Sequence, residues 1–188
     1  MKRIAVLLAL MLVSVAGFAQ KVNKNERNEN GVRTIGVPLR AFYVDNEMHG
    51  CFLEYREANG VEAYVLTFAI SGQAYKWGVR KGNQILLKAV NGDVLEHTFL
   101  ASTESRIVAG KSGATYHIMI PLYFTQEESG ILDKGLVKIR IPRTTASTGE
   151  INNLDIVFPD DLTLYLKKAK KNIDKTIPLP VTIDKSAF

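Results

Sequence analysis

Through most of the chain, apolar and polar positions alternate with a period of two, the pattern of strands that bury one face of a sheet. Tyr64, Leu66, Phe68 and Ile70 fall on one side and Val65, Thr67 and Ala69 on the other, in a strand that Ser71-Gly72 should end. Arg33 to Val44 and Cys51 to Arg56 are also rich in apolar and aromatic residues, and Asp45 to Gly50 reads as the turn between them. Asn59-Gly60 marks a further tight connection. Ala114 to Phe124 directs Tyr116, Ile118, Ile120, Leu122 and Phe124 inward, although Pro121 cannot donate to a ladder and implies an edge or a bulge.

Asn91-Gly92 between two apolar runs predicts a hairpin. Parity fixes its register, because a slip of one residue moves every side chain to the other face. A two-residue loop would pair Leu87 with Glu96, whereas a three-residue loop gathers Ile85, Leu87, Ala89, Leu95, His97 and Phe99 on one face. The three-residue loop is the consistent choice.

Helical patterning is confined to two places. Thr125-Gln126-Glu127-Glu128 fits a capping box, in which the Thr oxygen and the Glu carboxylate each satisfy an orphan amide. A short helix should follow, running to about Lys134 and closed by Gly135, with a strand through Val137, Ile139 and Ile141. Leu162, Tyr165, Leu166, Ala169 and Ile173 then form a stripe at helical spacing behind the capping carboxylates of Asp160 and Asp161. Lys167, Lys168, Lys170 and Lys171 occupy the opposite, solvated face. The fold class is α+β: a mostly antiparallel sheet with one short helix after Thr125 and a C-terminal helix packed on it.

The first residues belong to a different grammar. Lys2 and Arg3 precede an apolar run from Ile4 to Val15, followed by the small-residue site Ala16-Gly17-Phe18-Ala19. This is the layout of an export signal, cut between Ala19 and Gln20, and the run is shorter than the roughly 20 residues that span a bilayer. The organisation is then 1–19 signal peptide, 20–30 flexible polar leader and 31–188 a single domain. The expected location is the periplasm or the extracellular medium, with no stable membrane insertion after cleavage.

Losing Lys2 and Arg3 lowers the formal charge from +5 to +3, too mild to argue for nucleic acid. The single cysteine, Cys51, precludes an intrachain disulfide and reads as a small buried apolar residue.

No catalytic pattern emerges. His49, His97 and His117 lack metal-ligand spacings, and no cofactor motif occurs. A hydrolase using Cys51, a histidine and Asp155, or a cleft of acidic side chains, is the competing reading. The preferred one is a non-catalytic binding or assembly module of the cell envelope, taking a glycan, a peptide or an envelope protein. Its candidate contacts are Tyr75 and Trp77, which would share a face of an extended loop and could stack on a sugar ring or partner surface.

The stretch Lys81-Gly82-Asn83-Gln84-Ile85-Leu86-Leu87-Lys88, with Asn91-Gly92-Asp93-Val94-Leu95, Tyr116, Tyr123 to Glu128 and Gly135 to Ile141, resembles small exported proteins of Bacteroidetes of uncharacterised function. The resemblance implies an α+β domain whose sheet carries a short helix between two strands. It transfers no catalytic residue.

Overall fold

A computed structural model of the chain describes residues 21–44, 47–73, 75–110 and 113–177. The signal peptide expected at residues 1–19 lies outside the described residues. Antiparallel ladders dominate, and the chain builds two sheets in turn.

The first sheet begins with β1 (Lys24–Arg27), β2 (Arg33–Gly36), β3 (Arg40–Val44), β4 (Glu47–Ala58) and β5 (Val61–Gln73). The chain then leaves it for β6 (Trp77–Val79), β7 (Gln84–Ala89), β8 (Val94–Thr98) and β9 (Thr103–Glu104), and returns through β10 (Arg106–Gly110) and β11 (Gly113–Phe124). Helix α1 (Gly130–Lys134) leads into β12 (Leu136–Thr145) and β13 (Ile151–Val157), and α2 (Asp160–Thr176) is the last described element. The spatial order is β1-β2-β4-β5-β11-β10 with β3 also on β4, and β8-β7-β12-β6-β9 with β13 on β12.

Local chemistry explains the joints. Ala58 pairs with Val61, and the intervening Asn59 and Gly60 have φ of 51° and 76°, a turn whose twist matches the strands it joins. Leu87 pairs with Leu95 and Ile85 with His97, so Val90, Asn91 and Gly92 form the expected three-residue loop. The capping box forms as its sequence suggests: the Thr125 amide donates to Glu128 Oε2 at 2.8 Å and the Glu128 amide to Thr125 Oγ1 at 3.2 Å. Turns then carry the chain to α1, which ends at Gly135 with φ +83°.

Several segments depart from the sequence pattern. The leader expected over residues 20–30 contributes β1, whose four residues pair with β2 through main-chain bonds while their side chains stay largely outside. An edge strand of this kind needs no apolar period. The expected strand from Arg33 to Val44 divides at Pro38, which lets β2 pair with the far half of β4 and β3 with its near half. Ser71 and Gly72 do not end β5; they lie opposite His117 as a bulge between the pairs Ile118–Ile70 and Tyr116–Gln73. Asp160 and Asp161 do not cap α2 through their side chains; Asp161 instead holds Arg40 at 2.6 Å.

One apolar cluster joins both sheets and both helices, from Ile35, Phe42 and Leu53 through Trp77, Ile85 and Ile120 to Leu132, Leu162 and Leu166. Lys170, assigned by helical spacing to the solvated face of α2, is buried at 4 % exposure. Its ammonium bonds Asp174 at 2.9 Å, bridges to Asp133 at 3.0 Å on α1 and lies 5.2 Å from the centre of the Tyr64 ring. These partners make its burial possible.

Candidate functional site

Where β3, β4, β5 and β11 run side by side, their register lines up Ala41, Gly50, Ala69 and Met119 as one row across the outward face of the sheet. Three of the four are small, so the row forms a trough, partly roofed by Leu39, whose side chain would be 3.1 Å from a β-carbon placed on Gly50. Met48 and Met119 rise beside it, 55 % and 49 % exposed. The far wall is the segment from Ser102 to Arg106 that crosses from one sheet to the other, with Val108 on β10. The Thr103 hydroxyl fixes this wall by donating to the Met119 carbonyl at 3.3 Å, and Lys76 bridges to Glu104 at 2.7 Å. The resulting cleft has a volume of about 910 Å³, within the usual range of ligand sites.

Polar residues make up about half of its lining, and most of their groups are committed. His49 is buried against Phe42 at 5.5 Å between ring centres, and its Nδ1 accepts from the Ser71 amide at 3.4 Å. The Ser71 hydroxyl donates to the Met48 carbonyl. Ser105 accepts from the Trp77 amide at 2.9 Å, and His117 Nε2 lies 2.9 Å from Thr115 Oγ1. The serine hydroxyls thus engage the main chain rather than an imidazole; the one hydroxyl that meets an imidazole among the described residues is Thr115, and no carboxylate among them orients that ring. Arg106 differs: it is exposed, and among the described residues no carboxylate pairs with it.

The predicted contact residues part company. Trp77 is completely buried, whereas Tyr75 is 37 % exposed with the Arg143 guanidinium 5.5 Å from its ring centre. The expectation that both offer one binding face is therefore corrected. Trp77 opens β6, where pairing with β12 and β9 turns its indole into the core. Neither ring lines the cleft.

Cys51 is the small buried residue that its apolar neighbours suggest, which goes against the competing reading of it as a nucleophile. It is fully buried, and burial pushes its thiol up to about 12, with Arg40 pulling weakly the other way. The thiolate that would attack is suppressed at neutral pH. Asp155, its partner on paper, stands in the other sheet and is held by Arg140 at 2.7 Å and Lys138 at 2.8 Å.

The acidic hollow is a smaller recess of about 420 Å³ lined by Asp93, Glu127, Glu128 and Lys134. Hydrogen bonds from Lys134 and Asn91 hold the Asp93 carboxyl below its ordinary range. Burial pushes Glu128 up, but hydrogen bonds with Thr125 and the neighbouring His97 together outweigh it and hold it down. Acid–base catalysis by a carboxylate pair needs the two driven apart; here both are driven the same way. His97 is buried beside this recess, with Nδ1 3.6 Å from Glu128 Oε1 and its ring 5.0 Å from Phe124. No group of three or more His, Cys, Asp or Glu side chains among the described residues is placed to hold a metal ion.

Sequence patterning missed Leu39, Met48, Arg106, Val108 and Met119. For Met48, Val108 and Met119 the one local signal was a large apolar residue at an outward strand position, and Met48 lay in a segment read as a turn; Leu39, between β2 and β3, and the charged Arg106 carried none. No helix among the described residues is long and apolar enough to cross a membrane. Comparison with protein-family models, with curated proteins and with solved structures found no match.

Proposed function

We propose that the chain is an exported, non-catalytic binding module of the cell envelope and that the cleft between Met48, Met119 and the Ser102–Arg106 wall receives an extended peptide segment of a partner protein. The observation that carries this reading is the lining of the cleft. On the sheet side, exposed methionines and branched aliphatic chains rim a floor of small residues, a surface that adapts to apolar side chains, and the Ser102–Arg106 wall facing it is polar, the mixed lining that suits alternating peptide side chains. A glycan site would call for exposed aromatic rings to stack on sugars. No Phe, Tyr or Trp among the described residues lines this cleft.

Export rests on the charged, apolar and small-residue order of residues 1–19. The likeness to small exported proteins of Bacteroidetes fits the same setting.

The test uses the chain beginning at Gln20 and a terminally blocked peptide, Val-Thr-Val-Thr-Asp-Thr-Val-Thr, as probe. Binding measured by calorimetry should disappear in a Met48→Glu/Met119→Glu variant that keeps its unfolding transition. Equal affinity in that variant would remove the cleft from the proposal. Tighter binding of a panel of oligosaccharides than of any peptide would replace the ligand class.

A further inference from the structure

Resting on the peptide-binding reading, we infer that the peptide binds by adding a strand to the free edge of β10, with a carboxylate side chain set against Arg106. Strand β10 ends its sheet: β11 pairs with one side, and no strand among the described residues pairs with the other. Sheet edges are templates for further strands and are ordinarily blunted by charge or proline. The opposite edge of the same sheet, β1, is blunted in that way, reading Lys-Asn-Glu-Arg. Strand β10 reads Arg-Ile-Val-Ala-Gly, with no charge after its first residue and with Ile107 63 % exposed.

The geometry joins this edge to the cleft. Arg106 and Val108 line it, and Ile107 lies on the other face by strand alternation. An added strand would place every second side chain over the cleft and its neighbours beside Ile107. Main-chain bonds would supply affinity and the alternate side chains selectivity.

Strand β3 also flanks the cleft and exposes an edge, but its arginine, Arg40, is already paired with Asp161. Arg106 has no such partner among the described residues. Charge complementarity therefore selects β10 and selects an acidic peptide: one whose carboxylate stands opposite Arg106 with an apolar residue opposite Val108. The probe peptide has this pattern, its Asp sharing a face with Val residues.

Amide hydrogen exchange and calorimetry with that peptide test the inference. Binding should protect the β10 amides that β11 does not hold. Arg106→Glu should weaken binding by about tenfold, the scale of one charge-assisted bond, and a peptide with Lys in place of Asp should restore it. Protection on β3, or methionine responses in the cleft without protection of β10, would overturn strand addition and leave the binding module standing. Absence of any response would remove both. Concentration-dependent protection of β10 without peptide would assign the edge to a second copy of the chain and overturn the inference.

Discussion

The Trp77 indole has no solvent-facing atom, and its main chain is held on both sides, so truncation leaves a void that the ladder cannot close. Trp77→Ala should lower the unfolding free energy by about 3–5 kcal/mol, seen as a lower denaturation midpoint at unchanged slope. A near-neutral result would place the ring outside the core. Cys51 should resist alkylation in the native protein and react at the rate of unfolding; rapid labelling would contradict its burial. Cys51 is buried as its apolar neighbours suggest, whereas Trp77 shows how local pattern fails at a site. Tyr75, Lys76 and Trp77 resemble an aromatic contact loop in one dimension, and only the pairing of β6 decides which ring turns inward. Lys170 is the same case on a helix, because its partners Asp133, Asp174 and Tyr64 come from three elements. Removing them all from view leaves a surface lysine. Lys170→Ala should cost about 2 kcal/mol, the scale of hydrogen bonds to charged groups, in chemical denaturation.

Elements whose determinants are local were legible. The turn at Asn59-Gly60, the three-residue loop at Val90–Gly92 and the Thr125–Glu128 box each depend on residues within four positions of one another. Thr125→Ala should accordingly cost about 1 kcal/mol, again by denaturation midpoint. Strands β1, β6, β9, β10 and β13 were not legible: β1, β9, β10 and β13 are short or edge strands held by main-chain bonds, and β6, though buried, is too short at three residues to show a period. Gly78 illustrates the constraint such strands impose: a β-carbon there would lie 2.5 Å from the Thr103 carbonyl. Gly78→Ala should separate β6 from β9 and loosen the wall of the cleft. The cleft itself escaped the sequence because Ala41, Gly50, Ala69 and Met119 become neighbours only through register.

At the scale of the whole molecule, the two sheets and two helices of the described residues share one core, and the cleft lies where the chain crosses between the sheets. Charge on the outer faces tunes stability without entering the core. Hydrogen bonds from Arg140 and then Lys138 hold Asp155 well below the ordinary carboxylate range. A depressed folded value contributes stability that is complete above the unfolded value of about 3.9 and is lost as pH falls through the folded one. Asp155→Asn should therefore destabilise near neutrality and lose its effect in strong acid, and solvent screening keeps the change small. An effect that grew on acidification would reverse the sign of this linkage.

For binding in the cleft, the chain supplies its own reporters. Of four methionines, Met1 and Met11 precede Gln20, so the protein beginning there retains only Met48 and Met119, both lining the cleft. Methyl-labelled methionine spectra recorded while the blocked Val-Thr-Val-Thr-Asp-Thr-Val-Thr peptide is titrated give two signals from one site. Both should shift together along a single saturable curve matching the calorimetric affinity. Binding seen by calorimetry while both methyl signals stay fixed would place the ligand elsewhere and contradict the account.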